Sequence, residues 1–344
     1  MASAAVIVVA LSGSVVALEA VYQGPQRRVR PGPARLPLDT LAARAGAAPG
    51  TVLMMFPPST PDQPFAVVFT GKAGREQVEV NPYSGAVLPR SPRPSTLATL
   101  LRTLHRIHTS LLAGRVGSAV VALVAIASLV QVISGLILWW RERAWRVNWR
   151  ASWKRIGFDL HHSLGVIGGL VLLVIAATGI WVHFGQVDDL VRKLDRHAWT
   201  PPPAQPVPPL GATPVSLDSI VRTAQSRLPG AEIMAVQFPP SAPVRVQLRF
   251  AEDRTPGGRS YLFLDRFRGT ILLAQSTREA ELGSYLVTLK RSLHTGDVLG
   301  PPTRVIWFLA SIILALQAVT GLLMCWNARW ARRATPARRD TAAL

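Results

Sequence analysis

Three stretches of this chain, Val116–Trp140, Leu164–Phe184 and Val305–Trp326, run on without a single Lys, Arg, Asp or Glu. Each reaches the roughly 20 apolar residues that a helix needs to cross a ~30 Å hydrocarbon core. A buried helix of a large soluble enzyme rarely runs that far uncharged, so the stretches predict membrane helices. A fourth run, Ala2–Leu18, has 17 residues and sits at the lower limit for a span. The expected class is therefore an integral membrane α-helical protein with four transmembrane helices.

The formal net charge of +19 would suggest nucleic-acid binding in a soluble protein. Here its placement points to topology instead. The loop after the second run carries Arg141, Arg143, Arg146, Arg150, Lys154 and Arg155 against one acid, Glu142. The tail carries Arg329, Arg332, Arg333, Arg338 and Arg339. Short basic loops mark the cytoplasmic side, so both belong inside, and the segments 19–110 and 185–303 belong outside. Trp139, Trp140, Trp181, Trp307 and Trp326 stand at the ends of the runs, where interfacial anchors are expected. No nucleic-acid partner is called for; the partner is membrane lipid. The single cysteine, Cys325, lies within the last run, which leaves no disulfide framework and no cysteine-based metal or iron–sulfur site.

The two outside segments read as one sequence written twice. Leu38-Asp39-Thr40-Leu41, Pro49-Gly50, Phe56–Pro61 and Asn81–Leu88 recur, in order, as Leu217-Asp218-Ser219-Ile220, Pro229-Gly230, Phe238–Pro243 and Asp265–Leu272. Each copy predicts a short helix opening at its Asp-Thr or Asp-Ser. Alternating strands follow, Ala66–Thr70 with Gln77–Val80 and Val244–Phe250 with Tyr261–Asp265, then a glycine turn and a last short strand. Two small α+β modules, each with its own sheet, are expected, and Pro201–Pro209, with six prolines, is a stiff linker. The resulting partition is 1–18 helix, 19–104 first module, 105–140 helix with an outer extension and 141–158 basic loop. It continues with 159–184 helix, 185–292 linker (200–209) and second module, 293–326 histidine motif and helix, and 327–344 basic tail.

Each run also holds a small hydroxyl residue followed by glycine: Ser12-Gly13, Ser134-Gly135, Thr178-Gly179 and Thr320-Gly321. Their expected role is close helix packing. Measured to these pairs, His108 precedes Ser134 by 26 residues and His294 precedes Thr320 by 26, so the two histidines hold equivalent places in the two halves. His161 precedes Thr178 by 17, at the opposite end of its helix. Two histidines brought together at a membrane are either axial ligands of a b-type haem or interfacial hydrogen-bonding residues. A non-haem di-iron site would require carboxylates, and a covalent haem would require Cys-x-x-Cys-His. His105 reads as a neighbour, His162 and His183 stay open as ligands, and His197, beside the linker, reads as a surface residue. The first-half counterpart of His161 would fall 17 residues before Ser12, upstream of Met1. With the short first run, this leads to the expectation that the true start lies some 20 residues upstream. The competing readings are loss of that inner site and a cleaved signal peptide, which here lacks a basic n-region.

Leu104–Gly114 (LHRIHTSLLAG), Asp159–Gly165 (DLHHSLG), Thr178-Gly179, Leu293–Gly296 (LHTG) and Thr320–Met324 (TGLLM) together resemble the PepSY-associated transmembrane family. That family comprises bacterial iron-regulated inner-membrane proteins, siderophore reductases among them, and Asn81–Leu88 and Asp265–Leu272 resemble the ends of two PepSY modules. The resemblance implies one or two haem b groups, His108 and His294 holding the outer one and His161 the inner one. It implies periplasmic modules, a cytoplasmic C-terminus and reduction of a ferric siderophore or other ferric chelate during iron uptake. No Gly-rich dinucleotide fingerprint follows a strand, so electrons would come from quinol or a separate reductase. The modules carry no paired carboxylates and no serine–histidine–acid pattern. Arg245, Arg249, Arg254 and Arg259 read as a solvated basic face that could attract an anionic chelate. Two other classes remain: a non-redox PepSY protein that binds or regulates a partner, and a transporter. The latter is disfavoured by few spans and no charge at mid-membrane.

Overall fold

The computed structural model describes residues 2–19, 27–48, 50–71, 74–89, 96–142 and 146–334. Pro49, Arg143, Arg338 and Arg339 of the sequence reading lie outside these residues. In chain order the elements begin with α1 (Ala2–Glu19), α2 (Leu38–Arg44), β1 (Val52–Phe56), β2 (Phe65–Gly71), β3 (Gly74–Val80) and α3 (Thr96–Ser110). Then come α4 (Gly114–Glu142), α5 (Trp153–His183), α6 (Gln186–Arg192), α7 (Leu217–Arg227), β4 (Glu232–Gln237) and β5 (Val244–Arg249). The last are β6 (Ser260–Leu264), β7 (Ile271–Gln275), α8 (Leu282–Thr295), a short 3-10 turn (Asp297–Leu299) and α9 (Pro301–Ala334). They gather into two compact units. One comprises Met1–Tyr22, Thr96–Gly185 and Arg291–Leu344; the other comprises Gln23–Ser95 and Gln186–Lys290.

The first unit is helical. Gly114–Arg141, Trp153–His183 and Pro301–Asn327 are long and apolar enough to cross a membrane, and α1 is apolar over the shorter stretch Ser3–Ala17. Leu123, Ile137, Ile167, Leu170 and Leu309 point outward and are more than half exposed, the reverse of a helix in water. That arrangement suits hydrocarbon, where backbone groups must be satisfied within the helix and apolar side chains face lipid. α1 packs along α9, α9 along α5, and α5 along α4. Gly168 lies against Ile313 and Gly169 against Leu136, and the missing side chains allow the helices this approach. The basic segment between α4 and α5 is folded back by the buried Asp159. Its carboxylate accepts the Asn148 N–H at 3.1 Å and pairs with Arg155 at 2.9 Å.

The second unit contains one antiparallel sheet of seven strands in the order β3-β2-β1-β4-β5-β6-β7. The sequence predicts two separate sheets. They are continuous because β1 pairs with β4, Met54 opposite Gln237 and Met55 opposite Val236, with the Phe238 N–H donating to the Leu53 carbonyl at 2.8 Å. Helices α2 and α7 supply the other layer of the core. Leu41, Ile220 and Ala224 are buried with Met55, Phe65, Val67, Val236, Val246, Leu248 and Leu262. β5 shows the cause plainly: Val244, Val246 and Leu248 are buried while Arg245, Gln247 and Arg249 alternate on the wetter face. Both predicted glycine turns form, and alike. The Asn81 side chain accepts the N–H groups of Tyr83 and Ser84, and Asp265 accepts those of Phe267 and Arg268. Gly85 and Gly269 each take φ of 69°, a left-handed conformation that favours glycine.

The helix starts differ from expectation. Asp39 and Asp218 do not cap their own helices. Each carboxylate accepts from the other helix: Asp218 from the N–H groups of Leu38 and Asp39, and Asp39 from those of Leu217 and Asp218. The proline-rich stretch forms no regular element. It is tied down at Gln205, which donates to Asp265 at 3.1 Å, and at the Thr200 carbonyl, which accepts from Gln275 at 2.7 Å.

Candidate functional site

His108 and His294 occupy corresponding places in two helix–corner–helix units. His108 stands in the last turn of α3. The chain then breaks at Leu111 and Leu112, both left-handed with φ of 47° and 60°, before Gly114 opens α4. The region read as one helix with an extension, 105–140, is thus two helices. His294 stands in the last turn of α8, which stops at the left-handed Gly296 before Pro301 opens α9. Proline suits a first helical position, where its missing N–H costs nothing. Hydrogen bonds fix this second corner. Trp307 Nε1 donates to the Leu293 carbonyl at 2.8 Å, the Thr303 hydroxyl donates to the Gly296 carbonyl, and Arg304 pairs with Asp297.

The two imidazoles meet with ring centres 6.1 Å apart and planes inclined at 31°. Each is held by its Nδ1. His108 Nδ1 donates to the Val9 carbonyl of α1 at 3.0 Å, and His294 Nδ1 donates to the Ile175 carbonyl of α5 at 3.1 Å. A carbonyl oxygen can accept but not donate, so each Nδ1 carries the hydrogen and each Nε2 keeps its lone pair. Burial, above all other influences, holds both rings below the ordinary imidazole range, and each ring's neighbouring histidine adds to this. Both are neutral near pH 7, the form in which imidazole binds a metal.

Two adjacent neutral rings, each with its lone pair on Nε2, have the chemistry of a pair that would hold a metal or a haem iron. Among the described residues no group of three or more His, Cys, Asp and Glu is placed to hold an ion. The candidate site is the histidine pair itself.

The seats beneath the rings are the hydroxyl–glycine pairs. A Cβ added at Gly13 would fall 2.7 Å from His108 Cε1, and one at Gly179 would fall 3.1 Å from His294 Cε1. Ser12 and Thr178 are buried and turn their hydroxyls back to their own helices, Ser12 to the Val8 and Val9 carbonyls and Thr178 to those of Val174 and Ile175. The same construction recurs at His161. Its Nδ1 bonds the Thr320 hydroxyl at 2.8 Å, the Gln317 side-chain amide donates to its backbone carbonyl at 2.7 Å, and Gly321 lies under the ring. His161 and Thr178 share α5 and are 17 residues apart, about 26 Å along a helix. Sequence reasoning assigned these glycines to helix packing. The available signal was that four such pairs accompany so few membrane histidines.

The remaining histidines are placed elsewhere. His162 rests on Phe158, ring centres 4.3 Å apart, and His183 meets Phe184 edge-on at 4.7 Å. His105 is one turn before His108 on α3, and His197 is exposed and bonds Glu281 at 2.9 Å. In the sheet unit, Arg245 donates to Gln237 and lies over Tyr261, Arg259 donates to the Tyr261 hydroxyl, and Arg249 faces Glu232.

Residues 1–329 match the family described as the PepSY-associated TM region. No curated protein matches the chain.

Proposed function

From the chain's place in the PepSY-associated transmembrane family, to which it belongs, and from its paired imidazoles, we propose a haem b-containing electron-transfer protein of the bacterial inner membrane. In this reading His108 and His294 would hold one haem, and His161 would serve a second. The observation that carries it is the pair itself: two half-buried, neutral rings 6.1 Å apart, each with Nδ1 committed to a backbone carbonyl and its lone pair left on Nε2. Haem bound there supplies one-electron exchange at the iron. The chain's own residues hold the ligands. The Val9 and Ile175 carbonyls fix the tautomer and raise the basicity of the rings, as hydrogen-bond acceptors do for metal-bound histidine.

The substrate we propose is a ferric siderophore or another ferric chelate. Hard oxygen donors hold Fe(III) tightly, and one added electron gives Fe(II), which they hold far less well. A second site at His161, about 26 Å along α5 from Thr178, would give electrons a path across most of a ~30 Å core. We place α1 as a fourth span and the α4–α5 loop and C-terminus in the cytoplasm, on the basic residues there. The sheet unit is then periplasmic, and quinol or a separate reductase supplies electrons. We further read the halves as an internal duplication, which the matching glycine turns and the reciprocal Asp39–Asp218 bonds support.

The test is direct. The purified protein is reduced chemically, freed of reductant, and mixed with a ferric chelate beside a chromogenic ferrous trap. One ferrous ion trapped per electron lost from the protein supports the proposal. A protein that stays reduced, with no ferrous iron formed, removes ferric chelates as its substrate.

A further inference from the structure

The hydroxyl–glycine pairs carry more than helix packing. Resting on the reading that His108 and His294 hold a haem, we infer that Gly13 and Gly179 are positioning residues whose missing side chains set the rotation and reach of the two ligand rings. Their turn of helix also supplies the bond to Nδ1.

Four glycines separate seating from packing. At Gly13 and Gly179 the nearest atoms to an added Cβ belong to an imidazole, at 2.7 and 3.1 Å. At Gly169 the nearest atom belongs to Leu136, also at 2.7 Å, and the three nearest atoms are all from that leucine. At Gly135, in the same hydroxyl–glycine sequence, an added Cβ meets nothing within 4 Å. One residue type in one kind of helix thus occurs in three roles: ring seat, helix contact and open space. A methyl group at Gly13 has to displace the ring, because Cβ–carbon contacts under 3.0 Å leave no room, and one at Gly179, at 3.1 Å, requires the ring to give by a few tenths of an ångström. The ring cannot move without lengthening its Nδ1 bond to the carbonyl three residues before the hydroxyl, Val9 or Ile175.

The hydroxyls divide the work differently at each seat. Ser12 does not bond His108; it shares the Val9 carbonyl with it. Thr178 lies 3.3 Å from His294 Nδ1 and bonds the same Ile175 carbonyl. At His161 the Thr320 hydroxyl takes Nδ1 itself, while a Cβ at Gly321 would sit at 3.4 Å, an ordinary contact. The glycine therefore dominates at His108, both contribute at His294, and the hydroxyl dominates at His161.

The experiment uses the full-length chain in detergent, expressed with ample haem. Haem content, the low-spin EPR signal, the midpoint potential and thermal unfolding are compared for the parent, Gly13→Ala, Gly179→Ala, Gly169→Ala, Gly135→Ala, Thr178→Val and Thr178→Ser. The inference predicts altered EPR signals in Gly13→Ala and Gly179→Ala and a shift of their reduction equilibrium by about tenfold, which is 59 mV for one electron. Gly169→Ala should lower thermal stability and leave signal and potential in place. Gly135→Ala should change neither. Thr178→Val should shift the potential and Thr178→Ser should restore it, which preserves a readout should Gly13→Ala fail to fold. Parental signals in both seat variants, or an equal shift in Gly169→Ala, overturn the inference and leave the haem reading standing. A parent without haem overturns both.

Discussion

The reciprocal caps of α2 and α7 allow an unequal pair of losses to be forecast. α2 begins after Pro37, which has no side chain to accept its free N–H groups, and Asp218 fills that role for Leu38 and Asp39 at 3.0 and 3.2 Å. α7 has Asp39 for Leu217 and Asp218, at 3.0 and 3.4 Å, and also its own N-cap, Ser216, which accepts from Ser219 at 3.1 Å. Losing a side-chain cap costs about 0.5–2 kcal/mol. Asp218→Ala strips α2 of its side-chain acceptor and belongs at the upper end, whereas Asp39→Ala leaves Ser216 in place and belongs at the lower. The two carboxylates also repel, and each single variant relieves that repulsion, so the double variant should cost more than the sum of the singles.

Hydrogen exchange in the full-length protein reads this locally, since about 1–2 kcal/mol is roughly 5–30-fold in an opening equilibrium. Residues 38–44 should exchange faster by about that factor in Asp218→Ala, and residues 217–227 by less in Asp39→Ala. Burial first, and then Asp218, holds the Asp39 carboxyl above its ordinary 3.8. A raised folded-state value favours the protonated carboxyl. Its contribution is therefore full below 3.8 and is lost as pH rises through the folded value. Asp39→Asn keeps an acceptor without that loss and should match or exceed the parent at neutral pH. Equal acceleration in both alanine variants, or Asn behaving as Ala, would refute the reasoning.

Other expectations follow from single contacts. Trp307→Phe removes the bond to the Leu293 carbonyl next to His294 and should cost about 1 kcal/mol, seen as a lower thermal midpoint and weaker haem retention. Leu248→Ala empties a fully buried position in the sheet unit and should cost about 2–5 kcal/mol by chemical unfolding, while Gln247→Ala beside it should cost far less. Leu112→Gly removes a Cβ from a left-handed, half-exposed position between α3 and α4 and should stabilise the corner by about 1 kcal/mol.

Local physics made much of this chain legible. Charge-free apolar runs located the three long helices because hydrocarbon tolerates little else. The strict alternation of Val244, Val246 and Leu248 declared β5, and Asn81 and Asp265 with their glycines declared two turns. Long-range pairing was harder to see. β1 (VLMMF) and β4 (EIMAVQ) lie at the centre of the sheet and show no clean alternation, and their pairing joins residues some 180 positions apart. The aspartates look like caps of their own helices until α2 and α7 are seen side by side. Equal spacing singled out His108 and His294 as a pair. It could not show that their rings rest on Gly13 and Gly179, since each seat lies on a helix distant in sequence.

We propose above all that His108 and His294 share one haem. A reduced-minus-oxidised absorption spectrum of the purified parent, beside His108→Ala, His294→Ala and His161→Ala, tests it most directly. The expected result is a b-type signal in the parent, loss of the bis-imidazole component in each of the first two variants, and its survival in the third. A parent without haem, or a component untouched by both His108→Ala and His294→Ala, would contradict it.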